Sequence, residues 1–267
     1  MTTNYAIRGG EEGRARLRVI AQALWPTTER LLIAAGIAPG MRCLDVGSGG
    51  GDVSFAMARL VGSLGAVVGI DLDETKLQLA RDEAVREGLR NVDFGKSNVD
   101  DLADESAYDL VYSRFLLSHL RDPAAALRRM LHAAKPGGAI VVEDIDHSGV
   151  FCYPPSPAFA RYVHLYNEVV RRRGADPEIG PRLPGLFREI GLPDPRVTLA
   201  QPVFTTGDGK RVPQITLDNI RAAVVAAGLA TDAEIVELIA EMDAFADDPE
   251  TLVGFPRIYQ VWATKQP

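Results

Sequence analysis

Between residues 41 and 144, short apolar runs alternate with longer segments of helical period, and this alternation constrains the fold more than any other feature of the chain. The apolar runs are residues 41–46, 65–70 (GAVVGI), 91–95, 108–112 (YDLVY) and 139–143 (AIVVE). Helical segments lie between them at residues 53–61, at 74–87 with Gly88 as a natural stop, and from Pro123 to the turn Pro136-Gly137-Gly138. Strands joined by helix-length crossovers cannot pair as hairpins, so they should lie parallel with helices covering both faces. The pattern predicts a doubly wound α/β sheet.

After Asp144 the rhythm changes. Residues 156–173 and 183–190 read as helices, 196–204 as a strand, and 217–227 and 232–245 as two further helices, the second with Thr231 as N-cap. Residues 257–264 (RIYQVWAT) close the chain as a strand. No crossover separates the two late strands in the parallel manner, so they are expected as an antiparallel pair at one sheet edge. Residues 205–255 then form a helical insertion above the sheet, of the kind that covers a substrate.

Composition narrows the class of partner. The 267 residues carry 29 Lys and Arg against 36 Asp and Glu, a net charge of −7. An acidic chain is poorly suited to neutralising nucleic-acid phosphates or anionic lipid, so a small-molecule ligand is expected, with no nucleic acid and no membrane as partner. A single domain of this length removes roughly three quarters of its unfolded surface from water and needs no disulfide or metal staple. Cys43 and Cys152 have no Cys or His at ligand spacing, so neither a disulfide framework nor a metal site is expected. The start lacks the apolar core of a signal peptide, and no stretch approaches the ~18 apolar residues of a membrane span. A soluble cytoplasmic protein, monomer or homodimer, is the expectation.

The segment LDVGSGGGDVS, residues 44–54, stands at the first strand-to-helix junction. Glycines there let a ligand approach the backbone, and the following helix offers unpaired N–H groups. A dinucleotide fingerprint would run G-x-G-x-x-G/A, but from Gly47 the sixth position is Asp52, whose charge would repel a pyrophosphate. Asp71 ends the second strand 24 positions after Gly47, where a carboxylate can accept from both hydroxyls of a ribose. With this motif in place, the chain resembles the class I S-adenosylmethionine-dependent methyltransferases. LDVGSGGGDVS is similar to their first motif, VVGIDLD (67–73) to their ribose-binding strand end, and KSNVDDL (96–102) to the segment that meets the adenine amino group. YDLVYSRFLLSHL (108–120) and DPAAALRRMLHAAKPGGAIVVED (122–144) resemble the fourth strand and the helix, turn and strand after it.

That resemblance implies a mostly parallel seven-stranded sheet of the Rossmann-like methyltransferase fold, with a helical cover inserted near the C-terminus. It implies one domain in three parts: an N-terminal helical arm or lid (1–40), a cofactor-binding core (41–145), and cover helices with C-terminal strands (146–267). S-adenosylmethionine would contact Gly47, Ser48 and Gly49, its ribose Asp71 and Leu72, and its adenine Asn98 and Val99. The family usually has Asp where this chain has Asn98; an amide oxygen still accepts from an amine, without the charge. Asp100 and Asp101 stand nearby. Asp45 is a candidate for the ligand's ammonium or a structural cap, and Arg114 for the methionine carboxylate or a surface ion pair. Tyr5 and Arg8 belong either to an arm that closes over the cofactor or to a frayed terminus.

The implied reaction is methyl transfer to O, N or C of a small organic molecule, a secondary metabolite. Because an in-line displacement at a sulfonium methyl needs chiefly a positioned nucleophile, few catalytic side chains are obligatory. A hydroxyl or protonated amine also needs a base, for which His119, after the fourth strand, and His147, after the fifth, are the candidates; packing is their alternative role. His132 and His164 read as structural. Phe151, Tyr153, Phe159, Tyr162 and Tyr166 line a pocket or build core, and Arg171 to Arg173 read as a solvated helix end. Three other functions compete: a methyltransferase fold that binds the cofactor but catalyses a non-methylating reaction, an NAD-dependent oxidoreductase, and a binding-only regulatory module.

Overall fold

A computed structural model describes residues 10–266, so Tyr5 and Arg8 of the expected arm lie outside the described residues. The chain runs α1 (Gly10–Ala34), β1 (Arg42–Val46), α2 (Asp52–Val61), β2 (Ala66–Asp71), α3 (Glu74–Arg86), β3 (Val92–Lys96), β4 (Tyr108–Arg114), α4 (Pro123–Ala133) and β5 (Ala134–Asp146). It continues with β6 (Phe151–Tyr153), α5 (Pro157–Arg172), α6 (Leu183–Glu189), β7 (Arg196–Ala200), β8 (Val203–Phe204), α7 (Val212–Ala226), α8 (Asp232–Asp247), β9 (Leu252–Gly254) and β10 (Arg257–Thr264).

Seven strands form the main sheet in the order β3-β2-β1-β4-β5-β10-β7. The first five are parallel, and β10 runs antiparallel between β5 and β7, as the sequence pattern predicts. After the exposed Arg42 at its start, β1 is apolar except at Asp45, because its neighbours β2 and β4 leave it covered on both faces. Alternate side chains serve alternate layers. Cys43 packs with Phe55, Met57 and Leu77 of α2 and α3, whereas Leu44 and Val46 pack with Leu127 and Met130 of α4 and Phe187 of α6. The chain winds outward in both directions from β1 and β4, so the carboxyl ends of these two strands flank a crevice where an open α/β sheet takes its ligand.

The structure departs from the sequence reading at residues 196–204, which form two strands in different sheets rather than one. Pro202 has no N–H to continue a ladder. Gln201 turns the chain by donating its side-chain amide to the carbonyls of Gly149 (2.7 Å) and Phe255 (3.0 Å). β8 then joins β9 and β6 in a small antiparallel sheet that the sequence did not reveal. Helix α7 begins at Val212 instead of Leu217, with Pro213 in its first turn, where a missing N–H costs nothing. Thr231 caps α8 in a full capping box with Glu234. Helices α5, α7 and α8 share their own core of Tyr162, Leu165, Leu217, Ile220 and Ile235, which makes the cover a packed layer. Among the described residues, no helix is long and apolar enough to cross a membrane.

Helix α1 packs against α2, α3 and α7. Arg14, 7% exposed, donates to Asp52 of α2 at 2.8 Å and to Glu83 of α3 at 2.9 Å. Further along α1, Thr28 donates to Glu143 of β5 at 2.8 Å. Glu143 is fully buried in the centre of the sheet and also accepts from the Tyr112 hydroxyl and, at 2.6 Å, from Gln260 of β10. One carboxylate thus ties α1, β4, β5 and β10 together. Removing it strands three buried donors, each a loss of about 1–3 kcal/mol. Glu143→Ala should therefore lower unfolding free energy by at least about 3 kcal/mol in urea titration; a change under about 1 kcal/mol would show that the network does not hold these elements.

Candidate active site

The β1–α2 bend begins where Gly47 and Ser48 both donate to the carbonyl of Ile70 on β2. Gly49 has φ 55°, the left-handed conformation that favours glycine, and a Cβ there would stand 2.8 Å from the Leu17 Cδ1 methyl of α1, which would have to move. Asp71, at the end of β2, fixes the bend from the other side. Its Oδ2 accepts from the Gly49 N–H and its Oδ1 from the Asp73 N–H, both at 2.9 Å. Each carboxylate oxygen retains a lone pair for another donor. Asp71 is therefore not the cap of α3. That role falls to Asp73, which accepts from Lys76 N at 3.2 Å.

Around this bend lies a cavity of about 420 Å³, within the range of small-molecule sites. Gly47, Gly49, Asp71, Leu72, Asn98, Val99 and Arg114, all nominated from sequence, lie on its wall. Asn98 also caps a single turn over residues 99–101, where its Oδ1 accepts from Asp100 N at 3.4 Å. Arg114 lines the cavity with a buried Nη1 that has no hydrogen-bond partner. Burial works against its charge, but Tyr112, Glu143, Asp52 and Asp45 together hold its pKa above the ordinary value. A group of this kind suits a ligand carboxylate.

Two nominated residues are not on that wall. Ser48 is turned away, its hydroxyl buried without a partner. Asp45 is 2% exposed and accepts from the Ser54 hydroxyl at 2.6 Å, so of its two candidate roles the structure displays the structural one. Asp52 also faces elsewhere: paired with Arg14, it borders a separate groove between α1 and α2. Its charge reaches the cavity through Arg114, which lines both spaces and whose pKa it helps to raise.

A second, smaller cavity of about 60 Å³ adjoins the first and shares Leu17, Phe115 and His119 with it. Its remaining wall comes from Arg16 and Ile20 of α1, Ile145 near the end of β5 and His147 just after it, Tyr162 and Tyr166 of α5, Val212 and Thr216 of α7, and Phe255, Pro256 and Ile258. Both nominated histidines thus meet one apolar chamber next to the larger cavity. Burial lowers the pKa of His119 to about 3, with Arg16, Arg173 and Lys76 adding to the effect. Burial likewise lowers His147 to about 4 against the opposing influence of Asn167. His147 stacks on Tyr166 with ring centroids 4.3 Å apart, and its Nδ1 is buried without a partner. Of the five aromatics singled out, Tyr162 and Tyr166 line the chamber, Phe159 is core, and Phe151 and Tyr153 are exposed at 41% and 63%. His164 is exposed, and Arg171 and Arg172 are engaged with Glu178 and the Ala227 carbonyl.

Sequence reasoning missed what α1 and the β4 end contribute. Leu17 roofs both cavities, a placement set by the Arg14 contacts and not by any local motif. Phe115, at the junction, has φ 54°, a conformation that bulky residues seldom adopt and that collects at functional sites. Among the described residues, no cluster of His, Cys, Asp or Glu could hold a metal ion.

Burial raises the Asp45 carboxyl from its ordinary 3.8 to about 6. The fold thus prefers the protonated acid; the resulting stabilisation is complete below pH 3.8 and is lost as pH rises through 6. Asp45→Asn cannot ionise and still accepts from Ser54. Its stability relative to the parent should rise by up to about 3 kcal/mol between about pH 4 and pH 8 in urea unfolding. A gap independent of pH would contradict the burial argument.

Comparison with known proteins agrees with this geometry. Residues 37–167 match a family model described as a methyltransferase domain. The ubiquinone biosynthesis O-methyltransferase of Hahella chejuensis is 38% identical over 113 residues, 41% of this chain and 45% of that protein. The ubiquinone/menaquinone biosynthesis C-methyltransferase UbiE of Ectopseudomonas mendocina is 32% identical over 135 residues, 50% of each. The chain thus spans about half the length of the curated relatives it matches. In fold it is similar to the YcgJ protein of Bacillus subtilis, with a TM-score of 0.60 at 16% identity over 90% of this chain and 97% of that one. The matched domain contains the bend and the carboxylate that form the larger cavity, and over residues 37–167 the chain is a class I S-adenosylmethionine-dependent methyltransferase domain, with S-adenosylmethionine as its cofactor.

Proposed function

We propose that this protein transfers the methyl group of S-adenosylmethionine to O, N or C of a small organic molecule, a secondary metabolite. The observation that carries the reading is the pairing of two cavities across His119 and Phe115: one built on the glycine bend and Asp71, the other apolar and closed by the cover. The residues present fit the cofactor. Asp71 has acceptor capacity for ribose hydroxyls, Asn98 and Val99 wall the region where an adenine would lie, and the orphaned Nη1 of Arg114 suits the methionine carboxylate. When bound, the cofactor supplies an electrophilic methyl on a sulfonium. The chain's own contribution is to bring the acceptor's nucleophile to that carbon and to exclude water, which requires positioning above all.

Leu17 and the helix it belongs to close the roof, so α1 serves as the lid of a single three-part domain. His119 stands where acceptor and cofactor meet. Its low pKa keeps it uncharged at neutral pH, so it orients an acceptor by hydrogen bonding and is a weak base. His147 shares that character from the far wall. The acidic surface favours a cytoplasmic enzyme, monomeric or homodimeric, that engages neither nucleic acid nor membrane.

Incubating the protein and S-adenosylmethionine with extract from its source should yield a product heavier by one CH₂ in mass spectrometry; cofactor binding with no such product would favour a non-methylating reaction. Asp71→Asn should weaken S-adenosylhomocysteine binding by about 1.5–3 kcal/mol in calorimetry. Unlike Asp71→Ala it keeps one oxygen, which can accept from either Gly49 or Asp73, so part of the turn is retained. Unchanged affinity would remove the ribose role.

A further inference from the structure

Among the described residues, one charged side chain lines the smaller cavity, Arg16. Its Nε donates to the Thr216 hydroxyl at 2.8 Å, and Thr216 is itself fixed by donating to the Val212 carbonyl at 2.7 Å. Its neighbours on the same helix differ: Arg14 pairs with Asp52 and Glu83, and Arg18 with Glu83. Among the described residues, no carboxylate pairs with Arg16 and neither Nη atom has a hydrogen-bond partner. A half-buried guanidinium facing Tyr162, His119 and His147 keeps a desolvation cost that an anion would offset.

We propose that Arg16 is the specificity-determining residue of this chamber, and that the acceptor is a small, mostly apolar ring bearing an oxyanion, either phenolate or carboxylate, which the guanidinium binds. This rests on the methyltransferase reading above. A guanidinium fork with one edge held by Thr216 presents its remaining N–H groups in the geometry that suits oxyanions. The aromatic and aliphatic wall takes the ring, and the chamber's small volume limits it to a compact acceptor or the reacting end of a longer one. The histidines fit the same picture. A phenol of pKa about 10 cannot readily pass its proton to imidazoles as weakly basic as these, whereas a phenol held as its anion needs no base. A phenolate lone pair then forms the C–O bond as the C–S bond breaks with its electrons passing to sulfur, and no proton remains to be removed. A carboxylate instead anchors the ring and leaves another atom as nucleophile.

The test is calorimetry of the full chain, with and without saturating S-adenosylhomocysteine, at about pH 8. Benzoate is compared with benzamide, and 4-nitrophenolate with 4-nitroanisole. The anion of at least one pair should bind about tenfold or more tightly than its neutral counterpart. Arg16→Gln should abolish that preference and leave S-adenosylhomocysteine affinity unchanged, while Arg16→Lys retains part of it. The pair that shows the preference identifies the oxyanion. Should Arg16→Gln fail to fold, Arg16→Met is read in the same way, with the parent's anion preference already decisive if absent. Equal binding of anion and neutral probe, a preference that survives loss of the guanidinium, or no binding of any probe up to about 10 mM overturns the proposal. An Arg16-dependent preference in a protein that does not bind S-adenosylhomocysteine would uphold the proposal and overturn the methyltransferase reading.

Discussion

A single carboxylate joins the two turns from which the site is made. Asp71 accepts from Gly49 on the β1–α2 bend and from Asp73 at the start of α3, so the ends of β1 and β2 are held in one geometry. The bend is bare because Gly49 takes a left-handed φ of 55°, and the Leu17 methyl then packs within 2.8 Å of where a side chain would begin. These two facts depend on each other: the carboxylate shapes the bend, and the bend admits the helix that roofs it. A residue commonly credited with ligand binding alone is here also part of the scaffold that forms the ligand's cavity.

The roof is held by charge and the floor by a buried polar hub. Arg14 reaches from α1 to acids on α2 and α3, and Thr28 reaches from the same helix to Glu143 in the sheet. Glu143 also gathers Tyr112 and Gln260, linking the parallel half of the sheet to the antiparallel edge. The chamber proposed for the acceptor is bounded by α1, the ends of β4 and β5, and the cover helices α5 and α7. Its polar groups are therefore drawn from parts of the chain far apart in sequence, and Arg16 and Thr216 meet only through the tertiary fold.

The legible parts of the molecule are those whose physics is local. Parallel strands covered on both faces must be continuous apolar runs, so β1 to β5 stand out, and Gly47, Gly49 and Asp71 sit at strand ends where only certain residue types serve. The β6-β9-β8 sheet left no such mark, since strands of two or three residues are too short to show a period. Residues 196–204 looked like one strand because the pattern is apolar throughout, yet Pro202 breaks the ladder and sends the second half to another sheet. Asp52 was misplaced for a related reason: its position in the motif is visible, whereas its partner Arg14 is 38 residues away. Arg16 had no signal at all beyond being one of several arginines in an amphipathic segment. What singles it out is the lack of a described carboxylate partner, and that is a property of packing.

The central claim is that the bend and Asp71 form the seat of an adenosyl group beneath α1. A crystal structure of the protein grown with S-adenosylhomocysteine tests it most directly. The expected result is density in the larger cavity with the ribose hydroxyls within hydrogen-bond distance of Asp71 and the methionine carboxylate at Arg114. Density that leaves this cavity empty, or that sets the ribose away from Asp71, would contradict the account.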